Sequence, residues 1–458
     1  MLALLFFLLS AITQPSAQTT LPPDQPLSFT LQGTVQAQDG NPIPGARVDV
    51  RVAGSADQIL SDTVTDANGE FALFGILLLP GKYAVHASAS GFEADEQPFV
   101  VSTSSALTLA LKLRPQFGTR GMSSAFTVVR IFYATDRAEV RDGNSLRYLG
   151  MKSKKGSLAY GSCEVSIPET HTIAEIERPS IWKLEFHADP EKHMILQRVQ
   201  SEQKTVFFRE VSGSVSASPT KEAFVFVHGY NVSFEDAAIR TAQLAYDFGF
   251  KGAPIFYSWP SKSSLLGYFA DEQSVAETTG DLKQFLQDVA SYSGATTIHL
   301  IAHSMGNRAL LAAVSQLAAD SRFKDFNKFN SLVLAAPDVD RVTFTNLVAQ
   351  IRKPRSRITL YVSDRDQALI ASHRLFHVEP RAGEGGSNAL VMPGVDTVDV
   401  SRLSMDALGH SYYGDNRNVV LDLLEFLRGK LAPRPGLTRM PVGALAYWQL
   451  LPASPARQ

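Results

Sequence analysis

The stretch Ala302-His303-Ser304-Met305-Gly306 sets a serine between an apolar run, Ile298 to Ala302, and a helix-periodic segment, Met305 to Ala318. A serine on such a strand-to-helix turn is lifted above the sheet edge, where its hydroxyl can attack an electrophilic carbon. Strand and helix crowd together there, so small residues are needed two before and two after the serine. Gly306 meets the second requirement, and Ala302 stands where a first glycine is usual. An alcohol is a poor nucleophile at its own pKa, so a neighbouring base and an acid that orients it are required. In chain order the acid should come next and the histidine last. Asp366 lies 62 residues on, in Val362-Ser363-Asp364-Arg365-Asp366, and His410 a further 44 on, in Leu408-Gly409-His410-Ser411. Asp364 and Asp338 compete with Asp366 for the acid. An oxyanion needs two backbone N–H donors. Met305, after the serine, supplies one; Tyr230, in His228-Gly229-Tyr230, supplies the other, with Gly229 permitting close approach. His228 reads as a structural residue that orients this loop.

These groups need a scaffold that brings them to one edge. The run Ala223–Val227 is continuously apolar, as a buried parallel strand is, and Ala253–Ser258, Ile298–Ala302, Ser331–Ala335, Ile358–Val362 and Thr397–Ser401 read as further strands. Helical patterns alternate with them. One opens on the capping box Ser233 to Asp236 and runs through Phe248; others cover Val275–Val289, Met305–Ala318 and Asn416–Arg428. Alternation of this kind predicts an α/β fold, a doubly wound sheet with ligands at the strand C-termini.

The N-terminal part differs. Met1 to Ile12 is uncharged and apolar, too short to span a bilayer, and Gln14-Pro15-Ser16-Ala17 follows it. Residues 1–17 are expected to be a secretory signal, giving a secreted or periplasmic protein. From Phe29 to Leu113, period-two runs such as Phe29–Val35 and Ala46–Val52 alternate with turn signals at Asp39–Pro42 and Thr65–Gly69. Strands and turns about every ten residues predict a small all-β sandwich. Residues 114–124 are the expected linker, 125–430 the α/β domain, and 431–458 a Pro-rich tail in which Ala446–Leu451 packs on the domain surface.

Two resemblances sharpen the reading. Residues 29–113, with G-x-P-I-P-G-A-x-V, T-D-A-N-G-x-F and L-P-G-K-Y, resemble the carboxypeptidase regulatory-like domain, a transthyretin-like sandwich. This implies an accessory or adhesive module and, with export, contact with the cell envelope. Phe132-Tyr-Ala-Thr-Asp-Arg137, Tyr160–Pro168, Phe226–Phe234, Tyr257–Pro260, Ala302–Arg308 and Asp366–Leu369 resemble an α/β-hydrolase family, domain of unknown function 900. That resemblance implies the hydrolase fold and a serine-type site but no substrate.

The expected activity is hydrolysis of carboxylic esters or thioesters through an acyl group on Ser304. The substrate would be a small or lipid-like ester; Leu265, Leu266, Tyr268 and Phe269 suit an apolar acyl group, and a buried loop core accounts for them equally well. The alternative is an inactive hydrolase scaffold serving as a cell-envelope binding protein. Lys and Arg total 43 against 45 Asp and Glu, a net charge of -2, so nothing recommends nucleic acid as a partner. The single Cys163 cannot supply a Cys-rich metal site. His373 and His377 stand four apart near Glu379, yet without further ligands they read as surface histidines, and Lys152–Lys155 reads as a solvated loop. No metal, cofactor or transmembrane segment is expected.

Overall fold

The computed structural model describes residues 26–37, 42–43, 46–53, 59–66, 68–89, 92–102, 105–115, 126–143, 145–179, 188–262, 268–353, 356–376, 379–403 and 412–452. The expected signal, the Asp39–Asn41 turn, most of the expected linker and the Leu265–Leu266 lining lie outside these residues.

The N-terminal unit is a sandwich of two four-stranded sheets. Leu27–Ala37 pairs antiparallel with Glu70–Leu78 and parallel with Ser105–Pro115. Arg47–Val52 lies between Ile59–Val64 and Gly81–Ser88 in the second sheet. Alternation turns Leu31, Val35, Val48, Val50, Val85 and Leu111 into one fully buried core. Asp49 breaks the pattern: it is buried on Arg47–Val52, where Arg51 and His86 bond its carboxylate.

The catalytic-looking segments lie in an eleven-stranded sheet. At its centre Glu222–Val227 is flanked in parallel by Ala253–Ser258 on one side and Thr297–His303 on the other. Phe329–Ala335, Arg357–Val362 and Asp396–Asp399 continue the parallel run. Chain order reverses around Glu222–Val227, and crevices form outside strand C-termini at such a switch point. The strands read as apolar runs because helices cover both faces: Ala223, Val225 and Val227 face one buried cluster, Phe224 and Phe226 the other.

The sheet extends beyond the parallel strands at both ends. Phe126–Thr135, Ala159–Pro168 and Ile195–Glu202 add an antiparallel flank beside Ala253–Ser258. At the other end Leu445–Leu450 joins Asp396–Asp399 and pairs with Leu437–Val442. The expected surface-packed tail is thus partly a hairpin that lengthens the sheet. Cross-strand hydrogen bonding, and not the patch of Ala446–Leu451 side chains alone, fixes it. Among the described residues no helix is long and apolar enough to cross a membrane.

Candidate active site

Ser304 ends the strand Thr297–His303 and precedes the helix Gly306–Ala319. Its φ is +49°, a left-handed conformation that costs a non-glycine residue about 1–3 kcal/mol. Hydrogen bonds hold it there. The Ser304 N–H donates to the Ala335 carbonyl at 3.0 Å, and the Asn307 amide donates to the carbonyls of Ser304 and Ala335 at 2.9 and 3.1 Å. Asn307 was not singled out from sequence; its place three residues after the serine was the available signal.

The turn has no room to spare. A Cβ on Gly306 would stand 2.3 Å from the His228 carbonyl oxygen, so the glycine lets helix and central strand touch. A Cβ on Gly229 would meet Ser304 Cβ and His303 Nδ1, each at 2.8 Å. Gly229 therefore lays the loop after Glu222–Val227 directly against the serine. Tyr230, on that loop, is half-buried and packs edge-on to Tyr268 at 5.6 Å; Met305 is buried after the serine.

Buried side chains behind the loop fix its path. His228 stacks on Trp259 with ring centroids 5.1 Å apart, and the Trp259 indole N–H donates to the His228 carbonyl at 2.8 Å. Burial, reinforced by the neighbouring Arg137 guanidinium, pushes the His228 pKa down to about 3. It stays neutral and structural. Arg137, fully buried, donates to Ser258 Oγ at 2.8 Å and to the Val232 carbonyl at 2.7 Å. Burial lowers even this guanidinium to about 10, against the pull of Asp271. Asp271 in turn accepts from the Lys262 N–H at 2.6 Å and the Asn231 N–H at 3.5 Å, and burial raises it to about 6. The Phe132–Arg137 motif carried Arg137 in plain view, but Asp271 was not singled out from sequence: its partners Lys262 and Asn231 lie nine and forty residues away.

The three candidate acids occupy different surroundings. Asp338 is buried and fully engaged. It accepts from Tyr268 Oη at 2.7 Å and Ser372 Oγ at 2.8 Å, and it pairs with Arg308 at 3.3 Å and Arg381 at 3.2 Å. Asp364 is exposed, its backbone N–H donating to Ser401 Oγ. Asp366 is fully buried past Arg357–Val362 and takes the Leu369 N–H at 3.0 Å, opening the helix Gln367–Phe376. A solvated loop carboxylate it is not. Its charge reaches Tyr412, whose hydroxyl is raised by burial first and then by Asp366 and Asp399. His303 stacks on Tyr413 at 4.3 Å. Tyr412 and Tyr413 thus bring the chain just after residue 411 to the serine turn and to Asp366. His410 itself lies outside the described residues.

His373 Nδ1 pairs with Glu384 at 3.0 Å, and His377 lies outside the described residues. Among the described residues no group of three His, Cys, Asp or Glu is placed to hold a metal ion.

Residues 203–428 match the family described as alpha/beta hydrolase of unknown function (DUF900), and residues 30–114 match the carboxypeptidase regulatory-like domain. The chain thus carries an α/β-hydrolase domain behind a carboxypeptidase regulatory-like sandwich. No curated protein matches the sequence. Solved structures are similar over small parts only. Mercury-inhibited catechol 1,2-dioxygenase from Acinetobacter sp. ADP1 is 14% identical over 23% of this chain and 59% of its own, with a TM-score of 0.17. Chlorocatechol 1,2-dioxygenase from Pseudomonas putida is 13% identical over 20% and 61%, with a TM-score of 0.16. The minor pilin GBS52 of Streptococcus agalactiae is 18% identical over 22% and 48%, also with a TM-score of 0.16. The chain spans less than two thirds of each, and likenesses this slight carry no argument about function.

Proposed function

We propose that the protein is a serine hydrolase that cleaves carboxylic esters or thioesters through an acyl-enzyme on Ser304. The observation that carries this reading is the strained turn: Ser304 at φ +49° with Gly229 packed against it. Strain of this order persists where surrounding structure over-determines it, and holding a nucleophilic side chain at a strand-to-helix turn is a use for it, although Ser304 is itself buried among the described residues. His410 takes the Ser304 proton as Ser304 Oγ bonds to the substrate carbonyl carbon. The N–H groups of Tyr230 and Met305 receive the oxyanion. The alcohol or thiol leaves with the proton from His410, and water then releases the acid from the enzyme. Asp366 orients His410. Its burial and its closeness to Tyr412 support it over Asp338, whose carboxylate is already shared among four side chains.

Tyr230, Tyr268 and the exposed Phe269 favour an apolar acyl group. Turnover of p-nitrophenyl esters of rising chain length by wild type and Ser304→Ala tests the proposal. Hydrolysis that vanishes in the variant supports it, and equal hydrolysis by both defeats it. Export rests on residues 1–17. A mature protein recovered from the periplasm or medium and beginning at Gln18 is the expected result; an intact Met1 end in the cytoplasm would reverse it.

A further inference from the structure

A sizeable cavity lies away from Ser304, where the β-sandwich meets the antiparallel flank of the large sheet and the helix Phe234–Asp247. It encloses about 810 Å³, within the range of small-molecule sites. Five arginines line it: Arg47 and Arg51 from the sandwich, Arg147, Arg178 and Arg198 from the hydrolase domain. Among its described lining residues Glu235 is the single carboxylate. Phe92, Met194, Leu196 and Ile239 make the remaining wall apolar.

Part of this positive charge is neutralised from behind. Arg51 bonds Asp49 at 3.0 Å and Arg178 bonds Asp236 at 2.6 Å. Arg47 and Arg147 are different. Arg47 sees Asp49, Asp62 and Glu235 at 3.8, 3.6 and 3.7 Å, distances of attraction without a hydrogen bond. Its Nε and Nη2 are buried and find no acceptor among the described residues, and neither does Arg147 Nη1. A buried guanidinium N–H without an acceptor is costly, and phosphate or carboxylate oxygens match its fork. An apolar wall beside unsatisfied arginines suits a molecule that is anionic at one end and apolar at the other.

We propose that this domain junction binds a small organic anion, a phosphate or carboxylate head on an apolar body, with Arg147 and Arg47 receiving the head. The ligand bridges the two domains, because the two arginines come from different ones. The site is independent of Ser304 chemistry.

Calorimetric titration of the full chain with octyl phosphate, below its micelle concentration, tests this. Saturable binding that weakens with added salt is expected, with no competition from neutral octyl glucoside. Arg147→Gln should weaken it about tenfold or more, the loss of a charge-assisted hydrogen bond. The exposed Arg198→Gln, which keeps every buried ion pair, should weaken it about threefold through charge alone and decides the matter if Arg147→Gln fails to fold. No saturable binding, equal binding of octyl glucoside, or unchanged affinity in folded Arg147→Gln would overturn the proposal. Vesicles containing phosphatidylglycerol separate a free anion from a bilayer surface. The protein should stay in solution with them, and vesicle capture without binding of free octyl phosphate would also overturn it.

Discussion

Replacing Gly229 by alanine adds one carbon at the point where the Tyr230 loop touches the serine turn. That carbon would stand 2.8 Å from both Ser304 Cβ and His303 Nδ1, and 3.2 Å from the His303 carbonyl oxygen. Carbon contacts relax at about 3.5–4.0 Å, so loop and serine must separate by ~0.7–1.2 Å. Overpacking of this size costs about 1–3 kcal/mol of stability. A misplacement near 1 Å at reacting atoms costs about a hundredfold in rate. Gly229→Ala should therefore fold, melt a few degrees lower, and hydrolyse esters about a hundredfold more slowly. Gly306→Ala should be worse for folding, because its carbon would meet the His228 and Val227 carbonyls at 2.3 and 2.8 Å, and backbone cannot rotate away. Gly213→Ala is the control. It sits in the helix Lys204–Ala217 with nothing within 4 Å of the added carbon, and it should gain about 0.5–1 kcal/mol. Thermal melts and ester turnover, measured together on the three variants, check this. A folded Gly229→Ala with wild-type turnover would refute the placement of the reacting serine against this loop.

Three further outcomes are expected. Asp366→Asn should lower turnover by orders of magnitude with little change in melting, whereas Asp338→Asn should cost a few kcal/mol of stability by unbalancing Arg308 and Arg381; the opposite pattern in a paired kinetic and thermal comparison moves the acid to Asp338. Turnover should rise between about pH 5.5 and 7.5 as His410 loses its proton, an unperturbed histidine titrating near 6.5, and a profile that falls over this range would exclude it as the base. Burial disfavours charge on His171, but the hydrogen bonds it donates to Asp247 at 2.8 Å and Glu177 at 2.9 Å prevail and raise it to about 9. Because the folded value lies above the unfolded one, this stabilisation is full below about pH 6.5 and is lost as pH rises through 9. It amounts to at most about 3 kcal/mol. Denaturation midpoints of wild type and His171→Asn should converge toward pH 9, and a constant gap would refute the pairing.

What the sequence revealed and what it concealed divide along the range of the interactions. Ser304 was legible because strand, turn and helix are contiguous, and the strand before it is largely apolar, as a buried parallel strand tends to be. The capping box was legible too. Ser233 accepts from the Asp236 N–H within one turn, as the spacing predicted. The antiparallel flank of the sheet was not read as strands, because Phe126–Thr135 and Ala159–Pro168 acquire partners only across the fold. The hairpin Leu437–Leu450 was hidden for the same reason, its exposed residues lacking the alternation of a half-buried strand. In one dimension Asp338 stood as a rival to Asp366, the first choice for the acid. Only packing shows that Tyr268, Ser372, Arg308 and Arg381 share it. Likewise Arg47 and Arg147 are unremarkable apart, and only where two domains meet do their nitrogens emerge as lacking acceptors among the described residues.

The central claim is that Ser304 is an activated nucleophile. Treating the full-length protein with a fluorophosphonate and mapping the adduct by peptide mass spectrometry tests it most directly. A single phosphonylated serine at Ser304, formed more slowly as pH drops below about 6.5 and absent from Ser304→Ala, is the predicted result. An unlabelled wild type, or labelling that persists in Ser304→Ala, would contradict it and leave the domain as a hydrolase scaffold used for binding.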